Sequence, residues 1–324
     1  MAQVLSVIEP FLPIILAVYL TLGLGYVLRR MDIFRTDISR PILRIVVSYC
    51  EPFVLVLIMW NLDLSNFGDI LALPALGLGL ALLMFLPGWA VARLLRMQGE
   101  QRGALICCSM MSNIGTTMGT FVCFLFLGAQ GSSMGITYCL YFLPFAVTIM
   151  FNIARHYGSG ASLSVGGAIR EYLSSPLSRN PTLGLIAGVI LNLSGVPKFR
   201  GFTIALSSGI YIDVAISSLA IGYGVHIGKS LKYVKESLVA CALKFLVSPV
   251  IGMGLFYLAN LFFGFGPDIP RVVLIQASMP VAIWAVVVST LFNLDRDLAN
   301  ACWASTTTAS FVVVVALYFI VPLI

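Results

Sequence analysis

The chain has 324 residues, of which 60% are hydrophobic and only 10% charged, and its net charge is +6. Soluble domains carry about 45–50% apolar and about 25% charged residues, and disordered chains are poor in apolar residues, so both classes are excluded. The basic residues lie in short loops between apolar runs, which is typical of a membrane orientation signal and not of nucleic-acid binding. The composition therefore predicts an all-α polytopic membrane protein embedded in the lipid bilayer, with no nucleic-acid partner.

Ten apolar runs are separated by charged residues or by proline and glycine, and a membrane-spanning helix needs about 20 such residues. They cover residues 4–28, 38–60, 71–91, 104–127, 133–153, 181–196, 202–227, 238–263, 272–291 and 298–324. The first run is too long for the apolar core of a signal peptide and lacks a cleavage site, so we expect it to be the first span.

Most lysines and arginines fall in the loops that lead from an odd-numbered span to an even-numbered one. The opposite loops hold only Lys198, Arg200 and Arg271. Because short cytoplasmic loops carry an excess of basic residues, this asymmetry predicts that both termini lie on the outer side. We expect the membrane to be the bacterial inner (plasma) membrane.

The longest loop divides the ten spans into two halves of five. Residues 1–153 form the first half, residues 154–180 a cytoplasmic connecting loop and residues 181–324 the second half. An odd number of spans in each half forces the halves to insert with opposite topology. Such inverted repeats are a common way to build secondary transporters, which bind substrate near the membrane midplane where the repeats meet.

Polar and helix-breaking residues interrupt the fourth span of each half, at residues 112–119 and 276–280. An interrupted helix frees main-chain groups that must be buried in protein or line a cavity, and a free helix N-terminus attracts an anion. Alternatively, Gly115 and Gly119 form a helix-packing face and Pro280 is a simple kink. Because both interruptions occupy equivalent spans, the sequence favours a binding site.

Three ionisable residues lie inside the spans, where they are costly and usually functional. Glu51 precedes Pro52 in the second span, Asp213 lies in the seventh and Lys244 in the eighth. Glu51 and Asp213 occupy equivalent spans of the two halves. Coupling or gating by a bound proton or cation is one interpretation. A structural ion pair with Lys244, or snorkelling of Lys244 to the surface, is the other.

The seven cysteines all lie inside apolar runs, without the spacing of a metal site, and are interpreted as small buried residues. They are Cys50, Cys107, Cys108, Cys123, Cys139, Cys241 and Cys302. No zinc-protease, ATP-binding or serine-hydrolase motif occurs within the spans. We therefore expect neither an enzyme nor a bound metal or cofactor, apart from a coupling ion such as Na⁺ or H⁺.

Four stretches, in this order and spacing, resemble the auxin efflux carrier family of PIN-like transporters. They are residues 22–30, the Asn113-Ile-Gly115 motif, residues 180–195 and the segment Gln276-Ala-Ser-Met-Pro280. The resemblance implies two inverted five-helix repeats, with helices 4 and 9 broken and crossing beside a site for a carboxylate-bearing substrate. It further implies a scaffold of helices 1, 2, 6 and 7 and a moving, elevator-like unit of helices 3–5 and 8–10. The family usually has a proline in the helix-4 crossing, where this chain has Thr116 and Thr117.

The function expected from these observations is secondary active transport of a small organic anion, such as a mono- or dicarboxylate, by an elevator-type carrier. Substrate-binding candidates are Asn113, Gly115, Thr116, Thr117, Gln276, Ser278 and Pro280; candidates for coupling or gating are Glu51, Asp213 and Lys244. Two alternatives stay open: a sodium-coupled organic anion symporter of the bile-acid type, and a membrane sensor of a small ligand that does not transport it. The family resemblance also suggests a homodimer.

Overall fold

The computed structural model describes residues 12–34, 38–63, 67–158, 176–224 and 232–324, together with residues 166, 170 and 174. Across these residues the regular structure is helical, apart from one isolated antiparallel bridge between Ser112 and Val281. Most of the connecting loop predicted over residues 154–180 lies outside the described residues.

Helices account for most of the described ranges and are numbered in chain order. They are α1 (Leu12–Arg30), α2 (Pro41–Trp60), α3 (Ile70–Leu94), α4 (Gly99–Met110), α5 (Gly119–Cys139), α6 (Phe151–Tyr157), α7 (Pro176–Leu193), α8 (Phe202–Gly224), α9 (Val234–Phe263), α10 (Asp268–Ala277), α11 (Ile283–Leu291) and α12 (Arg296–Ile320). Single π-helical turns occur within α1, α2 and α9.

Within the described part of the chain, seven helices are long and apolar enough to cross a membrane: α1, α2, α3, α5, α8, α9 and α12. The protein is therefore an integral membrane protein. Three features explain why seven such helices are found where ten spans are predicted. The ninth predicted span is split into α10 and α11, α7 begins with polar residues, and the fourth and fifth predicted spans meet inside α5. There the chain turns at Gly128, whose φ of 69° and ψ of −159° are not helical.

The chain divides into two compact units, and the first comprises residues 1–63, 115–136 and 171–225. In this unit α1 packs against α8, and α2 packs against α7. Gly25 lets α1 approach α8, because an added Cβ there would collide with the carbonyl oxygen of Leu219. Gly222 does the same on α8, where a Cβ would meet the carbonyl oxygen of Leu22. Glycine is therefore required for this close packing.

Two asparagines of α7 hold α2 in place. Pro52 has no N–H, so the carbonyl of Ser48, one turn earlier, loses its helical donor. The side-chain amide of Asn180 donates to that carbonyl at 2.8 Å. At the other end of α2, the amide of Asn192 donates to the carbonyls of Met59, Trp60 and Leu62. The polar atoms that proline and the helix end leave exposed are thus satisfied within the protein.

The second unit comprises residues 64–114, 137–170 and 226–324. Its helix α12 packs along α9. Asp295 caps the N-terminus of α12, and its Oδ1 accepts a hydrogen bond from the N–H of Leu298 at 3.0 Å. The hydroxyl of Tyr233, just before α9, donates to Asp295 Oδ2 at 2.8 Å. Burial and this bond raise the pKa of Tyr233 to about 12, so the phenol stays a donor at neutral pH. The bond ties the starts of α9 and α12 together.

The packing of α1 on α8 predicts opposite effects for two neighbouring glycines. Gly25→Ala should lower the stability by about 1–3 kcal/mol, the usual cost of overpacking. Gly23→Ala should be neutral or stabilise by up to about 1 kcal/mol through helix propensity, because its Cβ would meet no atom within 4 Å. Thermal unfolding of the purified variants in detergent measures both effects. Equal melting temperatures for the two variants would contradict the close contact.

Candidate functional site

The two interrupted segments bond to each other within the second unit. Helix α4 ends at Met110 and α10 ends at Ala277, and each is followed by non-helical chain. The N–H of Asn113 donates to the carbonyl of Pro280 at 2.8 Å, and the N–H of Ala282 donates to the carbonyl of Met111 at 3.1 Å. Each segment therefore supplies main-chain partners that the other lost when its helix was interrupted.

One face of α9 satisfies the carbonyl ends of both short helices. The ammonium of Lys244 donates to the carbonyl of Ser109 at 2.6 Å and to the hydroxyl of Ser112 at 2.9 Å. The hydroxyl of Ser248 donates to the carbonyl of Ala277 at 2.6 Å. Lys244 and Ser248 are four residues apart and so lie on the same helix face. The last carbonyls of a helix have no partner within it, and here α9 provides the donors.

Lys244 is only 1% exposed and therefore does not snorkel to the surface. Its hydrogen-bond partners among the described residues are a carbonyl and a hydroxyl and include no carboxylate. A cation is favourable at this position because the C-terminus of α4 carries the negative end of the helix dipole. The side chain thus places a hydrogen-bond donor next to the segment that contains Asn113.

A third support comes from α12. The buried hydroxyl of Thr306 accepts a hydrogen bond from the N–H of Val281 at 3.1 Å and donates to the carbonyl of Cys302 at 2.7 Å. By contrast, the hydroxyl of the exposed Thr308 bonds to Ala304 of its own helix. Ser248 and Thr306 are not among the site residues that the sequence predicts. For Ser248 a signal was available in the sequence, because it lies four residues after Lys244.

The predicted substrate-binding residues are divided between the two units. Asn113, Gln276, Ser278 and Pro280 lie in the second unit, and Gly115, Thr116 and Thr117 lie in the first. Gln276, Ser278 and Pro280 are buried, whereas Asn113, Gly115 and Thr117 are partly exposed. The structure therefore brings Asn113 and Pro280 into direct main-chain contact. The remaining candidates lie close to these two residues in sequence.

A hydrogen-bonded turn replaces the proline that the family usually has in the first interruption. The carbonyl of Gly115 accepts from the N–H of Met118 at 3.3 Å and from the N–H of Thr120 at 3.0 Å. Helix α5 then begins at Gly119. The helix is thus interrupted without a proline. A Cβ added at Gly115 would meet no atom within 4 Å, so there is open space beside this residue.

The two membrane acids share one hydroxyl group in the first unit. The Oγ1 atom of Thr116 lies 3.3 Å from Oε1 of Glu51, to which it donates, and it also interacts with the carboxyl group of Asp213. Asp213 is only 1% exposed, and its Oδ1 atom has no hydrogen-bond partner among the described residues. A π-helical turn at Val46–Cys50 directly precedes Glu51. Glu51, Asp213 and Thr116 therefore form one cluster, although they come from three distant parts of the chain.

Comparison with known proteins agrees with this architecture. A family model described as "Membrane transport protein" matches residues 6–158. The resemblance to the auxin efflux carrier family is confirmed. A curated relative from Methanothermobacter thermautotrophicus, described as an "Uncharacterized transporter", is 24% identical over 299 residues, which cover 92% of this chain and 94% of the relative. Both comparisons point to a membrane transporter.

The support from α12 predicts different effects for two threonines of one helix. Thr306→Val should destabilise the protein by about 1–3 kcal/mol, because the buried N–H of Val281 loses its acceptor. Thr308→Val serves as the control and should change the stability by less than about 0.5 kcal/mol, since its exposed hydroxyl bonds within its own helix. Melting temperatures in detergent measure the difference. A destabilisation at Thr308 as large as at Thr306 would refute the proposed support.

Proposed function

We propose that the protein is a secondary active transporter of a small organic anion such as a mono- or dicarboxylate. The observation that carries this proposal is the main-chain pairing between the two interrupted segments, through Asn113 with Pro280 and Met111 with Ala282. A helix begins soon after each segment, α5 at Gly119 and α11 at Ile283. Helix N-termini attract anions because their first N–H groups are unsatisfied and carry the positive end of the dipole.

The residues proposed to bind the carboxylate follow from this pairing. Asn113 is partly exposed and its main-chain N–H bonds to Pro280, and its side-chain amide is proposed to contact the substrate. The open space beside Gly115 leaves room for a ligand atom near the main chain. Hydroxyl groups and the amide of the neighbouring segments supply further polar contacts. These come from Thr116, Thr117, Gln276 and Ser278.

The position of Lys244 disfavours sodium coupling at the end of α4. Free carbonyls and a helix C-terminus attract a cation, and the ammonium group of Lys244 already bonds to the carbonyl of Ser109 and the hydroxyl of Ser112. The Lys244 nitrogen therefore already occupies the place where a sodium ion would be attracted. Glu51 and Asp213 are left as the candidates for coupling.

The larger architecture is proposed from the family resemblance and the basic loops. We propose a homodimer whose chains each have ten spans in two inverted repeats, with both termini on the outer side of the bacterial inner membrane. Of the ten predicted spans, the first, second, sixth and seventh would form a scaffold and the others an elevator-like unit. The similar lengths of α4 and α10, 12 and 10 residues before their interruptions, support the repeat.

Transport is tested with purified protein in liposomes adsorbed to a solid-supported membrane. A panel of mono- and dicarboxylates is applied with and without sodium at two pH values. A saturable current confined to a few acids, and independent of sodium, is the expected result. Sodium-dependent currents would favour the bile-acid type of symporter. Binding of an acid by folded protein without any current would favour the sensor.

The proposed site makes a prediction for two asparagines. Asn113→Ala should abolish the substrate current, because the carboxylate loses its amide donor, while the protein still elutes as a folded species. Asn152→Ala is the matched control, since Asn152 is exposed and its amide bonds to Thr148, one turn earlier. Its currents should equal those of the wild type. Unchanged uptake by the Asn113 variant would overturn the assignment of the site.

A further inference from the structure

We propose that Glu51 and Asp213, bridged by the hydroxyl of Thr116, form a proton-binding site that drives uptake of the anion. The proposal rests on the transport function proposed above and specifies its coupling ion. It is carried by the shared hydroxyl, the burial of Asp213 and the Oδ1 atom of Asp213, which has no hydrogen-bond partner among the described residues.

The cluster has one hydrogen-bond donor, the hydroxyl of Thr116, for two carboxyl groups. The hydroxyl of Thr116 has a single hydrogen, which it donates to Glu51 Oε1 across 3.3 Å. It also interacts with Asp213, to which it cannot donate at the same time. Oδ1 of Asp213 consequently has no donor among the described residues, although the side chain is only 1% exposed. Buried carboxyl oxygens normally have a partner, and one added proton shared by the two carboxyl groups supplies it.

No positive charge in the described residues balances the two carboxyl groups. The charged groups on the helices around them are four arginines: Arg29 and Arg30 on α1, Arg44 on α2 and Arg179 on α7. None of these is among the groups that interact with either acid. The other titratable side chains on α1, α2, α5, α7 and α8 are tyrosines and cysteines. They are Tyr19, Tyr26, Tyr49, Cys50, Cys123, Tyr138, Cys139, Tyr211 and Tyr223. Asp213 is buried and Glu51 is partly exposed. Two like charges that share one hydroxyl group repel each other, and a bound proton removes one of them.

Thr116 provides a route from this proton to the substrate. When both acids are ionised, the Thr116 hydrogen is held by a carboxylate. When one acid carries a proton, its O–H donates a hydrogen bond to Thr116 Oγ1, and the hydroxyl hydrogen of Thr116 can then bond to the substrate carboxylate instead of to an acid. Proton and anion then enter the site together, and loss of the proton on the other side of the membrane withdraws the donor.

Infrared difference spectroscopy tests the proton site without any transport. Exposed aspartate and glutamate are ionised at neutral pH, so a protonated carboxyl band at that pH reports a shielded acid. Sodium-free wild-type protein should show this band at pH 7, and the Glu51→Gln/Asp213→Asn double variant should lack it. The matched control Glu100→Gln, at an exposed glutamate of α4, should retain it. Absence of the band from the wild type, or its removal by added sodium, would overturn the proposal.

Proton-driven accumulation tests the coupling. A pH gradient of one unit, used by one proton for each anion, should drive about tenfold accumulation, since each pH unit corresponds to a factor of ten. Glu51→Gln should abolish accumulation in response to the gradient, Glu51→Asp should restore part of it, and Glu100→Gln should behave like the wild type. Melting temperatures identify any variant that fails to fold.

The two readouts separate the possible failures. A carboxyl band without transport of any acid would overturn the transport function while the proton site stands. The coupling proposal would be overturned, while the transport function stands, by either of two results. One is wild-type transport that does not change with the pH gradient, and the other is a Glu51→Gln variant that accumulates the anion as strongly as the wild type in response to the gradient.

Discussion

The need to satisfy main-chain polar groups inside a membrane is the constraint on which the rest of this structure depends. A helix that stops at membrane depth leaves carbonyl and N–H groups that lipid cannot satisfy. Helices α4 and α10 stop among buried residues, and their continuations bond to each other through Asn113 and Pro280. Lys244 and Ser248 then complete the carbonyl ends of α4 and α10. An interruption that would be costly alone becomes a defined, densely bonded segment.

The same constraint explains how the first unit is held together. Proline at position 52 removes one helical donor, and the amide of Asn180 on α7 replaces it at the carbonyl of Ser48. In both units a side chain from a neighbouring helix supplies the missing partner. Each such bond also fixes the register of the two helices, because a shift of one residue would leave the carbonyl without a donor. Interruptions therefore act as anchoring points between helices as well as breaks in them.

Much of this arrangement could be predicted from the sequence, because hydropathy marks apolar helices and because Gly, Pro and polar residues mark interruptions. The breaks after Met110 and Ala277 were predicted in this way. The partners that satisfy them were not, since Lys244 and Ser109 are 135 residues apart and no local pattern links them. The gap between the fourth and fifth predicted spans, residues 128–132, contains Gly128, where the chain of α5 is not helical. The turn there depends on a positive φ that glycine permits.

The two units hold their buried charges in different ways, and this difference bears on the proposed coupling. Lys244 has two hydrogen bonds, to a carbonyl and to a hydroxyl, so losing its proton would weaken both. Glu51 and Asp213 share one hydroxyl and leave Oδ1 of Asp213 unpartnered among the described residues, so gaining a proton would complete their bonding. The lysine therefore already has its hydrogen-bond partners beside the interrupted segments, where an anion is proposed to bind. The acid pair is suited to change its charge during the transport cycle.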